Sequence, residues 1–291
     1  MTFLDICAGI GGFRLGLERA GHKCIGFIEK DKYAVKSYRA MYNTEGEWYA
    51  DNVTAINTEE IPDADIWCFG FPCQDISIAG KRAGLDGQRS GIFFNIIELI
   101  KSKEPKNRPN WLLVENVKNL LSIDGGRGFA RVLSEMDKAG YDAEWQVLNS
   151  KNFGVPQNRE RVFIIGHLRN GRTRKILPVI GESNGHLKRI VDGSQWERVY
   201  HPDGISSCLS AQGGGLGAKT GLYIFYNESR DSPQIRRLTP RECFRLQGFP
   251  DELYEKAAAI NSDTQLYKQA GNAVTVNVAY AIGEKLKEVE I

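Results

Sequence analysis

The sequence predicts an α/β fold, a parallel sheet with helices on both faces and a smaller, mostly β unit appended. Three observations predict it. Short apolar runs alternate with helical patterns up to residue 168. A glycine-rich turn joins the first run to the first helix. The alternation stops between 169 and 237, where Gly, Ser, Asn and Arg dominate, and then resumes.

The elements follow in order. Thr2–Ile6 is an apolar strand, and the helical spacing after "CAGIGG" stops at Gly21. Lys23–Glu29 is a second strand, followed by a helix over Lys32–Tyr42. Ala64–Gly70 is a buried strand, and Ser90–Ser102 is a helix with Ser90 as candidate N-cap. Strand Trp111–Val117, helix Gly128–Gly140 and strand Arg161–Leu168 complete the alternation. Beyond the break, Thr239 can cap a helix that has Pro240 first and Glu242 third. The closing segment is apolar at Val274, Val278, Ile282 and Leu286, the pattern of a helix docked on the first domain.

Composition bounds the class. The chain has 291 residues, 42% of them hydrophobic and 25% charged, as in ordinary globular proteins. No apolar run could span a bilayer, and no basic segment precedes the apolar N-terminus as a signal peptide requires. Six cysteines with no C-x-x-C pair, and four scattered histidines, give no zinc pattern and read as reduced thiols of a cytoplasmic protein. Net charge is +2, but Arg159–Arg198 holds nine Lys/Arg against four Asp/Glu. Such a stretch can attract phosphate, but on charge alone a solvated face is the better explanation.

Candidate chemistry gathers at strand ends. "DICAGIGGF" (Asp5–Phe13) lets a ligand approach the backbone where open α/β sheets bind them, and Glu29 ends the next strand as ribose-binding carboxylates do. Arg14 stands where a dinucleotide fingerprint has its third glycine, which favours a nucleoside over a pyrophosphate. In "GFPCQDIS" (Gly70–Ser77), Cys73 lies just beyond a strand, where a thiolate can act as a nucleophile. Cys68, inside the strand, reads as a structural thiol. Glu115 closes another strand. "PQNRERVFIIG" (Pro156–Gly166) puts Arg159 and Arg161 on one face of an extended segment.

Taken together these motifs, with "RRLTPRECFRLQGFP" and "YKQAGNAVTVNVA", resemble the DNA cytosine-C5 methyltransferases over almost the whole chain. The likeness is greatest to the small HhaI-type bacterial modification enzymes, down to "ERVY" and "LSAQGGGLGAKTGLY". It implies a Rossmann-like S-adenosylmethionine-dependent methyltransferase domain over 1–168 plus 238–291, and a mostly β target-recognition domain over 169–237. The implied reaction transfers a methyl group to C5 of a flipped-out cytosine, leaving S-adenosylhomocysteine.

The resemblance also implies roles. Cys73 adds to C6, Glu115 acts at N3 and the exocyclic amine, and Arg161 donates to O2. Gln157 and Arg159 belong to the same Gln-x-Arg-x-Arg element. Ile10 and Gly12 hold the methionine end of the cofactor and Glu29 the ribose. Asp51 takes the adenine amine, Pro72 and Ile92 flank the ring, and Asn52, Asn272 and Val274 complete the pocket. Cys7 and Lys30 belong to that pocket too, where relatives carry Phe and Trp. Ser77 opens a loop that closes over DNA, Gln195 fills the gap left by the cytosine, and Arg198 reads guanine; Gln212 and Gly215 lie in the variable-region match. No metal is implied. The expected partner is double-stranded DNA, with the protein a monomer beside a separate restriction endonuclease, in a bacterial or phage-infected cytoplasm. Alternatives are an RNA or tRNA cytosine-C5 methyltransferase, an inactive DNA-binding module, and a nicotinamide-dependent dehydrogenase; the last does not explain Pro72-Cys73 with the arginine pair.

Overall fold

A computed structural model describes residues 1–72, 91–169, 175–182, 188–191, 198–201, 203–211, 222–225 and 233–289. A large sheet is built from β1 (Thr2–Ile6), β2 (Lys23–Ile28), β3 (Trp48–Ala50), β4 (Ile66–Gly70), β5 (Trp111–Val117), β6 (Tyr141–Asn149) and β7 (Glu160–Leu168). Its order is β3-β2-β1-β4-β5-β7-β6. The first five strands are parallel, and β7 runs antiparallel between β5 and β6. The expectation of a parallel sheet therefore holds for five strands and is corrected at β7, which returns from β6 through residues 150–159. Strand β6 and the short β3 were not anticipated at all. Tyr141–Asn149 carries Asp142, Glu144 and Gln146 among its apolar residues, as an edge strand can.

The strands are apolar on both faces because both are covered. Leu4, Ile6, Trp67, Phe69, Leu112, Val114, Val162 and Ile164 pack under α3 (Ile92–Ser102) and α4 (Arg127–Lys138). Their neighbours Phe3, Ile66, Cys68, Leu113, Phe163 and Ile165 face α1 (Gly12–Arg19) and the C-terminal helix. This is the period-two alternation of a strand read directly in burial. Helix α3 starts from Gly91; the anticipated Ser90 cap lies outside the described residues.

Three helices precede the last one: α5 (Pro240–Leu246), α6 (Asp251–Ala258) and α7 (Asp263–Asn272). The α5 N-terminus is a complete capping box, with Thr239 and Glu242 each bonding the other's backbone N–H, as expected from the sequence. The final helix α8 (Val276–Glu288) buries Val278, Ile282 and Leu286 against α1, as its apolar spacing predicts. Gly16 permits the close contact, since a Cβ there would meet Ala279 and the Val276 carbonyl at under 3 Å.

A second sheet, order β11-β10-β9-β8, is formed by β8 (Arg189–Val191), β9 (Val199–Tyr200), β10 (Leu222–Phe225) and β11 (Gln234–Arg236). Tyr200 and Tyr223 from it join Leu209, Leu238, Phe244 and Leu246 in one apolar cluster, which ties the small sheet to α5. Residues 176–179 instead run along β6, where Glu144 accepts the Ile176 and Leu177 N–H groups.

Candidate active site

The C-terminal ends of β1, β2, β4 and β5 meet above the sheet, and two adjoining cavities open there. The first, of about 390 Å³, is lined by Cys7–Gly9, Glu29, Asp31, Gly70–Pro72, Glu115, Lys268 and Asn272–Val274, among others. It sits where β1 turns into α1, the crevice beside the point where strand order reverses from β1 to β4. The turn adopts left-handed backbone at Cys7, Gly9 and Gly11, with φ of 55°, 58° and 78°. Gly12 lets the turn touch the chain's return, since a Cβ there would lie 2.2 Å from the Val274 carbonyl oxygen.

Glu29 organises this mouth. One carboxylate oxygen accepts the Gly9 N–H and the other accepts the Asp31 N–H, each at 2.7 Å. A carboxylate has about four acceptor positions, so both oxygens keep capacity for a ligand's hydroxyls. Asp31 caps α2 (Lys32–Met41) through the Tyr33 N–H and binds Lys268 at 2.6 Å across the opening.

The second cavity, of about 360 Å³, is lined by Phe71, Pro72, Glu115–Val117, Arg159, Arg161, Gly271 and Asn272. Phe71, Pro72, Glu115 and Asn272 belong to both. Glu115 is brought here because Gly70 pairs with it across β4 and β5. Arg161 pairs with Val117 across β5 and β7, and its Nε lies 3.0 Å from the Glu115 carboxylate. Asn116 is buried and donates to the Phe71 carbonyl at 2.7 Å, which holds the turn before Cys73 against β5.

Arg159 is buried, and among the described residues it forms no ion pair. Its Nη2 donates to the Ala273 carbonyl at 3.0 Å, Nη1 reaches the Cys208 sulfur and the Leu209 carbonyl, and Nε has no hydrogen-bond partner among those residues. Burial, and then the charge of Arg161, lowers its pKa. A buried cation with no carboxylate of its own is suited to an incoming anion or oxyanion. Gln157, fully buried, donates to the Leu246 carbonyl and to Gln247 Oε1 and accepts the Leu209 N–H; it does not line either cavity.

Of the cofactor residues anticipated, Cys7, Glu29, Pro72, Asn272 and Val274 line the first cavity, and Gly12 abuts Val274. Ile10 is buried in the cluster beneath the small sheet, Ile92 is half-buried against the α3 core, Lys30 and Asp51 are exposed, and Asn52 is half-exposed; none of these five lines the cavity. Arg198 is half-buried, with its carbonyl accepting the Leu222 N–H. Cys73, Ser77, Gln195, Gln212 and Gly215 lie outside the described residues. Sequence reading missed Phe71, Asn116 and Lys268. Asn116 follows Glu115 near the end of the Trp111–Val117 strand, and a polar residue at that place in an apolar strand was the available signal. The buried thiol of Cys68 donates to the Leu4 carbonyl, and burial pushes its pKa well up, as befits a structural cysteine. Among the described residues no cluster has metal-binding geometry, and no helix is long and apolar enough to cross a membrane.

This architecture is shared widely. The Entamoeba histolytica methyltransferase EhMeth superposes with a TM-score of 0.76 at 18% identity, covering 99% of this chain and 98% of that one. The S. pombe Dnmt2 methyltransferase does so at 0.74 and 19% identity, over 100% and 99%. Those likenesses speak to the fold. Sequence says more. The Type II methyltransferase M.HhaI of Haemophilus parahaemolyticus is 35% identical over 98% of this chain and 95% of its own length. M.HpaII of Haemophilus parainfluenzae is 35% identical over 99% and 89%. The profile of C-5 cytosine-specific DNA methylases matches residues 1–203 and 194–288. The sheet, the paired cavities and this full-length kinship converge: the chain belongs to the C-5 cytosine-specific DNA methylase family and is a DNA cytosine-C5 methyltransferase.

Proposed function

We propose that the protein methylates C5 of a cytosine flipped out of double-stranded DNA, with S-adenosylmethionine as donor and Cys73 as transient nucleophile. The observation that carries this reading is the pair of adjoining cavities sharing Pro72, Glu115 and Asn272. A donor in one and a base in the other would meet at those residues, and Cys73 follows Pro72 directly in the sequence.

The first cavity suits the donor. Its turn leaves the backbone uncovered, the Glu29 carboxylate keeps acceptor capacity for a ribose diol, and Asn272–Val274 form the opposite wall. When bound, S-adenosylmethionine supplies an electrophilic methyl group. The protein's task is to make C5 nucleophilic. The Cys73 thiolate adds to C6, and the charge spreads to N3 and O2. Glu115 meets N3 and the exocyclic amine, while Arg161 donates to O2 and the buried Arg159 supplies a further cation beside them. C5 takes the methyl group, the C5 proton is removed, and the C6–S bond breaks to return the thiolate.

Flipping is required because the atoms attacked are stacked inside a duplex. In this reading residues 169–237 supply the target-recognition domain, with 176–179 lying along β6 of the catalytic part, 1–168 and 238–291. Gln195 fills the vacated space, and Arg198, Ser77, Gln212 and Gly215 contact DNA. Full-length kinship with Type II methyltransferases favours DNA over RNA as substrate. It also favours a monomeric modification enzyme in a bacterial or phage-infected cytoplasm, paired with a separately acting restriction endonuclease.

Mapping 5-methylcytosine in DNA from cells expressing the protein tests the reading. The wild type should mark one recurrent sequence, Cys73→Ser none, and Cys68→Ala the same sequence as wild type. Marks that persist with Cys73→Ser would overturn the role of Cys73.

A further inference from the structure

A buried polar chain flanks residues 271–274, which line the cavities, and neither Gln247 nor Thr275 in it lines either space. Gln247 caps the C-terminus of α5 and is wholly buried. Its Nε2 donates to the Ala270 carbonyl at 2.7 Å. Its Oε1 accepts from the Thr275 hydroxyl at 2.8 Å and from Gln157 Nε2 at 3.3 Å. Its own carbonyl accepts the Val276 N–H at 2.9 Å.

These bonds fix the amide. An oxygen that takes two donors, and a nitrogen facing a carbonyl, leave one orientation. The Thr275 hydrogen is thereby committed to Gln247, so Ser150, at 2.8 Å, must be the donor in its bond with Thr275. Both lone pairs of the Gln247 oxygen are used, so losing Thr275 leaves it only the longer bond from Gln157.

The geometry matters because of what lies within the grip. Gln247 holds Ala270 on one side and Thr275 with Val276 on the other. Between them, Asn272 and Val274 line the first cavity, and the Ala273 carbonyl accepts Arg159 Nη2. The third bond runs to Gln157, two residues from Arg159 and itself bonded to Leu209 on the way to the small sheet. One side chain thus sets the donor-side wall in register with the arginine segment and with the approach to the small sheet.

We propose that Gln247 is a positioning residue that couples occupancy of the donor cavity to binding of target DNA. The proposal rests on the functional reading above. A ligand that settles Asn272–Val274 also settles the carbonyl that holds Arg159, and Gln247 keeps that segment from yielding independently. Coupling must be reciprocal, so it can be read from either ligand.

The test measures the Kd of S-adenosylhomocysteine by calorimetry, for protein alone and for protein saturated with a duplex carrying the mapped target sequence. The wild type should bind at least about fivefold tighter with DNA present; Gln247→Met should show a factor below about twofold, with its DNA-free Kd within about threefold of wild type. Thr275→Val, which deletes one hydroxyl, should lower the factor in the same direction and serves if Gln247→Met does not fold. A merely structural role would lower the melting temperature or weaken both ligands while leaving their ratio intact, and that result overturns the proposal. A wild-type ratio of one overturns the coupling alone. Wild-type protein that binds no S-adenosylhomocysteine overturns the functional reading and the coupling with it.

Discussion

Asp5 lies buried beneath the glycine-rich turn, where it accepts the Tyr38 hydroxyl at 3.2 Å. Burial pushes its carboxyl up from 3.8 to about 8, against the pull of the Arg14 charge and the Tyr38 bond. The folded protein therefore holds this proton more tightly than the unfolded chain does. The contribution is full below about pH 4, falls as pH rises, and is gone above about 8, at a slope of at most about 1.4 kcal/mol per pH unit. In urea unfolding, Asp5→Asn should gain on the wild type as pH goes from about 5 to about 8. A constant difference across that range would contradict the assignment. Nothing in "DICAGIGG" announces this behaviour. The sequence places an acid at a strand's end, but burial on all sides comes from α1, α2 and β4. By contrast, the burial of Cys68 was legible from its position alone, inside an apolar run.

Among elements, the meeting of α1 with the segment before α8 is a tight constraint. Gly12→Ala would drive a methyl group into the Val274 carbonyl and part the two walls of the donor cavity. The Kd of S-adenosylhomocysteine should rise at least about tenfold, a loss of about 1.4 kcal/mol, read by calorimetry. An unchanged Kd would mean that these walls do not hold the ligand. At the α5 N-terminus, Thr239→Ala should cost about 1 kcal/mol, measured as a fall in Tm, because it opens a complete capping box. That box was legible from Thr239, Pro240 and Glu242, since capping is local chemistry. So, apart from the short β3, were the alternating strands and helices up to β5. The direction of β7 was not legible, because a strand's sense depends on how the chain returns from β6. Strand β6 itself hid behind Glu144 and Gln146, whose side chains serve backbone N–H groups of residues 176–179.

Over the whole molecule, the site draws on residues from 7 to 274, and no local spacing predicts that they converge. Their order along the chain was readable only as a family pattern; the sheet explains it, since β1, β4 and β5 are neighbours with their C-terminal ends aligned. Lys268 was missed because it reaches the cavity from α7, far from any strand end. Gln195 and Arg198 should separate by behaviour on DNA. If Gln195 only fills the gap left by the cytosine, Gln195→Gly should lose single-turnover rate on a paired target and regain much of it opposite a mismatch, where flipping costs less than its usual few kcal/mol. Equal losses on both duplexes would remove it from that role. The central claim is a thiolate that adds to the base, and 5-fluorocytosine at the mapped target position tests it most directly, since fluorine cannot leave C5 as a proton does. With S-adenosylmethionine present, wild type and Cys68→Ala should each give a protein–DNA band that survives denaturing electrophoresis, and Cys73→Ser should give none. No covalent band with the wild type, or one that persists with Cys73→Ser, would contradict the account.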